Sequence, residues 1–371
     1  MVLITERPAD HALAILRGRV RQHLNPFFSF SRDSESLTAL DSVVRPASDE
    51  WAAAFMALGQ AHAEQAGQFA LDGRDEAAVA AWQLAYDYCH IARYPHVDTE
   101  VKRQARALAV SYFLRATEHD DLTEHVTIEC AAGPLKAVLR RPARPGPVPL
   151  LICVGGLDVW KEEGICVVGQ PYVAAGFAVL AIDGPGTGES PFPMSTEADA
   201  MWDPVFDWAD ARPGFSAYRA VLGTSLGGYW ATRVAHTHPA RLTAAINHGG
   251  PAHYTFSPDW FDLWVERGEY PAGFASAFLS ITRSAGASEL TARFAELSLL
   301  DSGLLEQESA PLLLVNGRYD RTIDPRDMQL LLTHGSPKAA RFFEAGHMGF
   351  TPQTVPTMIQ WLGYCLNSAF S

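Results

Sequence analysis

The sequence predicts an α/β protein, a doubly wound and mostly parallel sheet preceded by an all-helical domain, and three features carry that prediction. Up to about Leu122 the apolar residues recur at helical spacing. Beyond that point they gather into short, nearly continuous runs separated by helical stretches, the pattern of strands buried on both faces with helices as crossovers. A chain of 371 residues with 48% hydrophobic content has room for both parts at about 100–200 residues per domain. The expected division is a helical, cap-like domain over residues 1–122 and an α/β domain over residues 123–371.

Leu13, Leu16, Val20 and Leu24 form a stripe along one helix face. Ser48-Asp49-Glu50 reads as a helix start before Trp51, Phe55 and Leu58. Asp72-Gly73 interrupts that pattern, a second helix carries Val79, Trp82 and Tyr86, and Pro95 closes it. A third run starts near Asp98-Thr99 and carries Val101, Ala105, Leu108, Tyr112 and Leu114. No fixed motif repeats along these helices. Val126 to Cys130 and Leu135 to Arg140 then read as two strands about Gly133-Pro134, with a loop from Pro142 to Pro149. The buried strands follow at Leu150 to Val154, Ala178 to Ile182, Ala220 to Leu222, Ala244 to Ile246 and Leu312 to Val315. Between the last two lies an aromatic-rich segment, about His253 to Ser309, that reads as helices covering a pocket or as an ordinary packed excursion.

Gly223-Thr224-Ser225-Leu226-Gly227 fits G-x-S-x-G directly after a strand and before a helix. That context places Ser225 on a sharp turn where its hydroxyl is presented, and the flanking glycines let backbones approach. A serine hydroxyl needs a base within hydrogen-bond reach and a third group to orient the base. The order serine, acid, histidine is met by Asp320, on the loop after the strand ending at Val315-Asn316, and by His347, between glycines after Phe342-Phe343-Glu344. Asp324 competes with Asp320, but it precedes Pro325 and suits a helix N-cap. The oxyanion of a tetrahedral intermediate needs two oriented N–H donors: the expected ones are Leu226 and, from Gly155-Gly156-Leu157-Asp158, Leu157 with Gly156 as the alternative.

Asp183-Gly184-Pro185-Gly186-Thr187-Gly188-Glu189-Ser190 is glycine-rich after a strand but lacks G-K-[ST] and the G-x-G-x-x-G pattern with its acidic partner. It is expected to be a structural loop near the site. His248 and His253 have no accompanying metal-ligand cluster, so with Tyr254 they are candidate substrate contacts, and neither metal nor cofactor is expected.

Through Gly223-Thr224-Ser225-Leu226-Gly227-Gly228, Asp183-Gly184-Pro185-Gly186-Thr187-Gly188, Asp320 and Gly346-His347 the sequence resembles the α/β-hydrolase superfamily. More narrowly, Gly155-Gly156-Leu157-Asp158-Val159-Trp160-Lys161-Glu162-Glu163 after a helical domain is similar to the group of 2,6-dihydroxypseudooxynicotine hydrolase, fungal polyketide-shortening hydrolases and fermentation-respiration switch proteins. The resemblance implies an α/β-hydrolase fold, cleavage of an ester or a ketone-adjacent C–C bond, frequent dimers, and a salt-bridged Lys161-Glu162 pair supporting the oxyanion loop. The expected function is thus serine hydrolysis of a small, aromatic or polyketide-like molecule. An acyltransferase or cyclase using the same triad is the alternative, and a non-catalytic binding module has no need of all three residues.

A formal charge of −13 with dispersed acids offers no basic face for nucleic acid. Residues 1–21 lack an uninterrupted apolar core and no run of about 18 apolar residues follows. The five cysteines are scattered without C-x-x-C spacing. The expectation is a cytoplasmic chain with reduced thiols, a small-molecule substrate, no membrane and no nucleic-acid partner.

Overall fold

The computed structural model describes residues 8–46, 48–267, 270–335 and 338–369. The chain forms two compact units: a helical one that runs to Asp121 and also takes in Tyr270–Ser280, and a sheet-centred one that holds the rest from Leu122 onward.

The helical unit contains α1 (Ala9–Arg21), α2 (Asp33–Asp41), α3 (Asp49–Leu71), α4 (Asp75–Ala92) and α5 (Glu100–Ala116). Ser48 caps α3 as its sequence predicts, its hydroxyl accepting from Trp51 N–H at 3.4 Å, and Thr99 caps α5 through Lys102 N–H. Such caps satisfy donors that have no partner within the helix. The helix α4 ends at Ala92, just before Tyr94-Pro95, where proline can neither donate nor continue a helix. Trp51, Phe55 and Phe27 form the aromatic centre of this unit, with Trp51 and Phe55 ring centroids 4.6 Å apart. The Trp51 indole N–H donates to the Ile91 carbonyl at 2.8 Å, which joins α3 to α4.

Two expected faces differ. The helix α1 stops at Arg21, so Leu24 lies beyond it and is 45% exposed, while Leu13, Leu16 and Val20 are buried. In α5 the buried face is Lys102, Ala105, Ala109, Phe113 and Ala116, and Leu114 points to solvent. Small alanines let α5 pack closely on α4, so bulk does not mark the face. Lys102 can sit there because its ammonium donates to the carbonyls of Tyr94 and Pro95 at 3.0 and 2.9 Å.

The strands are β1 (Thr123–Cys130), β2 (Gly133–Arg140), β3 (Val148–Val154), β4 (Ala178–Ile182), β5 (Phe215–Thr224), β6 (Ala244–His248), β7 (Leu312–Gly317) and β8 (Lys338–Phe343). Among the described residues they make one eight-stranded sheet in the order β1-β2-β4-β3-β5-β6-β7-β8. Pairing is antiparallel for β1-β2 and β2-β4 and parallel elsewhere. Every residue of β4, β6 and β7 is buried, which explains the apolar runs Ala178–Ile182, Ala244 to Ile246 and Leu312 to Val315 within them. The strand β5 is longer than its apolar run Ala220 to Leu222, because Phe215 to Arg219 lie mostly outside the enclosed part of the sheet.

From β3 the chain crosses to β4 on one side, and from the adjacent β5 it crosses to β6 on the other. The loops leaving the carboxyl ends of these neighbours therefore diverge, and the crevice between them is where open α/β sheets place their sites. The aromatic-rich segment is helical, with helices Pro258–Arg267, Phe274–Thr282 and Ala287–Leu297, but it is divided. Phe256, Phe261 and Phe294 are buried and packed on one another in the sheet unit, whereas Tyr270 packs on Tyr94 of the helical core. Among the described residues no helix is long and apolar enough to cross a membrane.

Phe55 is fully buried among aromatic rings, so Phe55→Ala should cost about 3–5 kcal/mol of stability. Chemical denaturation followed by circular dichroism reads this directly, and a shift worth less than about 1 kcal/mol would contradict the packing described.

Candidate active site

Strand β5 ends at Thr224 and the next helix begins at Leu226, leaving Ser225 as the single residue of the turn, with φ 52° and ψ −125°. A side chain in such a conformation costs about 1–3 kcal/mol and persists only where its surroundings hold it. Here Ser225 N–H donates to the His248 carbonyl at 2.8 Å, and the Ser225 carbonyl accepts from Gly228 N–H at 2.8 Å. The glycines of the motif are required by contact. A Cβ on Gly223 would stand 1.9 Å from the Gly227 carbonyl oxygen, and one on Gly227 would stand 2.2 Å from that of Val154.

Asp320 follows β7 and is buried. Its Oδ1 accepts from the backbone N–H groups of Thr322 and Ile323 at 2.7 and 3.1 Å, and its Oδ2 from His347 Nδ1 and Asn316 Nδ2 at 2.9 and 2.8 Å. Burial alone would raise its pKa. The His347 charge and the converging hydrogen bonds outweigh that and hold it below the usual carboxylate range. An ionised carboxylate only accepts, so His347 carries its proton on Nδ1 and turns the Nε2 lone pair toward Ser225 Oγ, 2.8 Å away. Serine, histidine and aspartate thus form one continuous hydrogen-bonded chain. Asp324, the competitor for the acid's place, caps the helix Pro325–Leu332 by accepting from Arg326 N–H at 2.9 Å.

The loop after β3 runs against Ser225. A Cβ on Gly156 would stand 2.9 Å from that of Ser225, so only glycine lets the backbone approach so closely. Leu157 is buried in the same loop, its carbonyl accepting from the Trp160 indole N–H at 3.2 Å. Leu226 N–H belongs to the first turn of the helix Leu226–Thr237, where amide groups point outward along the axis.

Each of the three candidate substrate contacts has a partner within the protein. His248 is 2% exposed and bonds through Nε2 to the Met348 carbonyl at 2.6 Å, so it lies within the framework of the site. His253 and Tyr254 belong to a turn organised by Asp327, whose carboxylate accepts from the N–H groups of His253, Tyr254 and Thr255 and from the Thr255 hydroxyl. His253 Nδ1 also meets Ser298 Oγ at 2.7 Å, and the Arg326 guanidinium lies over the Tyr254 ring at 4.3 Å. Sequence reading missed Asp327 and Asn316. The first resembles any acid in a first helical turn, while the second leaves a trace as a polar residue ending an apolar strand.

The family model described as esterase FrsA-like matches residues 28–337. The chain belongs to the FrsA-like esterase family. Esterase FrsA of Vibrio vulnificus strain YJ016 is 26% identical over 222 residues, covering 59% of this chain and 52% of that one. The 2,6-dihydropseudooxynicotine hydrolase of Paenarthrobacter nicotinovorans is 29% identical over 225 residues, 59% of each chain. The matches to curated relatives such as these span about half of the relatives' length. In fold, the chain is similar to the crystal structure of 2,6-dihydroxy-pseudo-oxynicotine hydrolase, with a TM-score of 0.73 at 23% identity over 95% of this chain and 94% of that one.

In this FrsA-like chain Lys161 and Glu162 are part of a buried charged knot. The Lys161 ammonium meets Glu162 at 2.7 Å, Asp183 at 3.2 Å and Glu189 at 2.7 Å. Asp183 also accepts from the backbone N–H groups of Lys161 and Glu189, which ties the loop after β3 to the glycine-rich loop after β4. The carboxylate fills that second loop: a Cβ on Gly188 would stand 2.0 Å from Asp183 Cγ. Burial would lower the Lys161 pKa, but the three carboxylates raise it well above its ordinary value. Glu162 is pushed up to about 7 by burial, with Asp183 and Glu163 adding to the rise and Lys161 opposing it.

A carboxyl raised from an ordinary value of about 4.3 to about 7 on folding contributes stability that is full below the unfolded value and fades as pH rises through the folded one. Wild type should therefore lose stability relative to Glu162→Gln between about pH 5 and pH 8. Thermal midpoints of both proteins across that window measure the difference, and a gap that stays constant would refute the assignment.

Proposed function

We propose that this FrsA-like protein is a serine hydrolase in which Ser225 is the nucleophile, His347 the general base and Asp320 the orienting acid. The observation that carries this reading is the continuous chain Asp320 Oδ2, His347 Nδ1, His347 Nε2, Ser225 Oγ, with links of 2.9 and 2.8 Å on a turn with φ 52°. Ser225 Oγ adds to a substrate carbonyl while His347 Nε2 takes its proton, and the ionised Asp320 stabilises the imidazolium so formed. The N–H of Leu226 and that of Leu157 or Gly156 receive the oxyanion. For an ester, His347 returns the proton to the departing alkoxide, and water then hydrolyses the acyl-enzyme. For a ketone-adjacent C–C bond, the same proton goes to the departing carbanion.

Small, aromatic or polyketide-like carbonyl compounds are the substrate class this reading favours. Its support is the similarity to a protein named for hydrolysis of a pseudooxynicotine and the place of Ser225 beside the switch point of the sheet. The five free cysteines support a reducing compartment such as the cytoplasm.

Wild type and Ser225→Ala, offered a panel of aryl esters and β-diketones in ¹⁸O-water, test the proposal by mass spectrometry of the products. Wild type should place one label in the acid product, and Ser225→Ala should be slower by roughly 10⁴-fold or more. Equal turnover by the two proteins would refute the role of Ser225.

A further inference from the structure

The loop that carries His347 is held by two side chains that the proposed chemistry does not use. Asn316 ends the run of β7 before Gly317 and is 1% exposed. Its Oδ1 accepts from Met348 N–H at 2.9 Å and from Gly317 N–H at 2.8 Å, while its Nδ2 donates to Asp320 Oδ2 at 2.8 Å. Two backbone donors on one side and a carboxylate on the other fix which way the amide faces. A single side chain therefore binds both the acid and the residue next to the base, and it donates to the same carboxylate oxygen that receives His347 Nδ1–H.

His248, at the end of the neighbouring strand β6, holds the same peptide from the other side. Its Nε2 donates to the Met348 carbonyl at 2.6 Å, and its own carbonyl accepts from Ser225 N–H at 2.8 Å. Burial, with the His347 charge adding, lowers the His248 pKa to about 4 despite its bond to Met348, which keeps this second imidazole neutral where the first must cycle its proton. Met348, gripped at both its N–H and its carbonyl, has φ 66°, a conformation that a methionine does not adopt unaided. The far side of the turn is fixed by the Thr354 hydroxyl, which donates to the Gly349 carbonyl at 2.6 Å.

We infer that Asn316 and His248 are positioning residues, a clamp on the Met348 peptide that keeps the His347 ring in line between Asp320 and Ser225. The inference rests on the hydrolase reading above. Asn316 and His248 hold the peptide that directly follows His347, and an error of about 1 Å at a reacting centre costs on the order of 10²-fold in rate. The clamp acts on the chemical step and leaves substrate binding alone.

The test combines kinetics on an aryl ester with ¹H NMR of the hydrogen-bonded His347 Nδ1 proton, which needs no turnover. Asn316→Ala should lower kcat by about 10- to 100-fold with KM changed less than about twofold, and should broaden or shift that downfield resonance. His248→Leu should lower kcat in the same manner, and His248→Gln, whose amide can still donate to the Met348 carbonyl, should recover most of it. Retention of both kcat and the resonance in Asn316→Ala would overturn the inference, as would equal activities for His248→Leu and His248→Gln. If circular dichroism shows Asn316→Ala to be misfolded, the His248 pair decides. If wild type and Ser225→Ala turn over alike, the hydrolase reading has failed, and the resonance in the folded variants still judges the clamp.

Discussion

Three stretches of backbone cross where no side chain fits between them: the end of β3 at Val154, the end of β5 at Gly223 and the first turn of the following helix at Gly227. That crossing sets the angle at which the helix leaves the sheet, and the angle forces Ser225 into its left-handed turn. Once Ser225 stands there, its N–H reaches the His248 carbonyl on β6 and its hydroxyl reaches His347. The loop after β3 must then pass Ser225 at glycine distance. The site is in this sense a result of how closely the central strands and the helix Leu226–Thr237 approach, with Asp320 after β7 and His347 after β8 joining it from one side.

Loops around this core are fastened by buried aspartates more than by surface ion pairs. Asp183, Asp320 and Asp327 each accept from two or more backbone N–H groups, and Asp87 does the same for Phe30 and Ser31 in the helical unit. A buried carboxylate is costly unless its lone pairs are used, and a loop's amides are costly unless they find acceptors. Each cost offsets the other when they meet. Exposed pairs such as Arg103 with Asp98 and Glu100 are screened by solvent and fasten little.

Much of this was legible in the sequence, and the limits have physical causes. The strand Ala178–Ile182 has the same bounds in both, because full burial leaves an unbroken apolar run. The strand Phe215–Thr224 showed only its enclosed part. Ser225, Asp320 and His347 were legible as residues that would meet, since each follows a strand end and Pro325 explains Asp324 as a cap. The role of His248 was not, because a histidine that donates to a backbone carbonyl and one that touches a ligand look alike until the loop beside them is folded. Asn316 also reaches Met348, 32 positions on, and Asp327 holds a turn more than 70 positions upstream, and spacing along the chain carries no sign of that. In α5 the packing is set by alanines, so bulk pointed one step around the helix.

Tyr270–Ser280 belongs with the helical unit although Asp121 is where that unit otherwise ends. During synthesis, at roughly 5–20 residues per second, the stretch between them takes on the order of ten seconds or more to emerge. Throughout that interval the partners of Tyr270, including Tyr94 and the core around it, lack a piece of their final covering. A nascent helical unit is thus complete only after most of the sheet has been made. Chaperone capture and early misassembly have their opening in that delay, and dissection of the chain at residue 121 separates the helices from part of their own core.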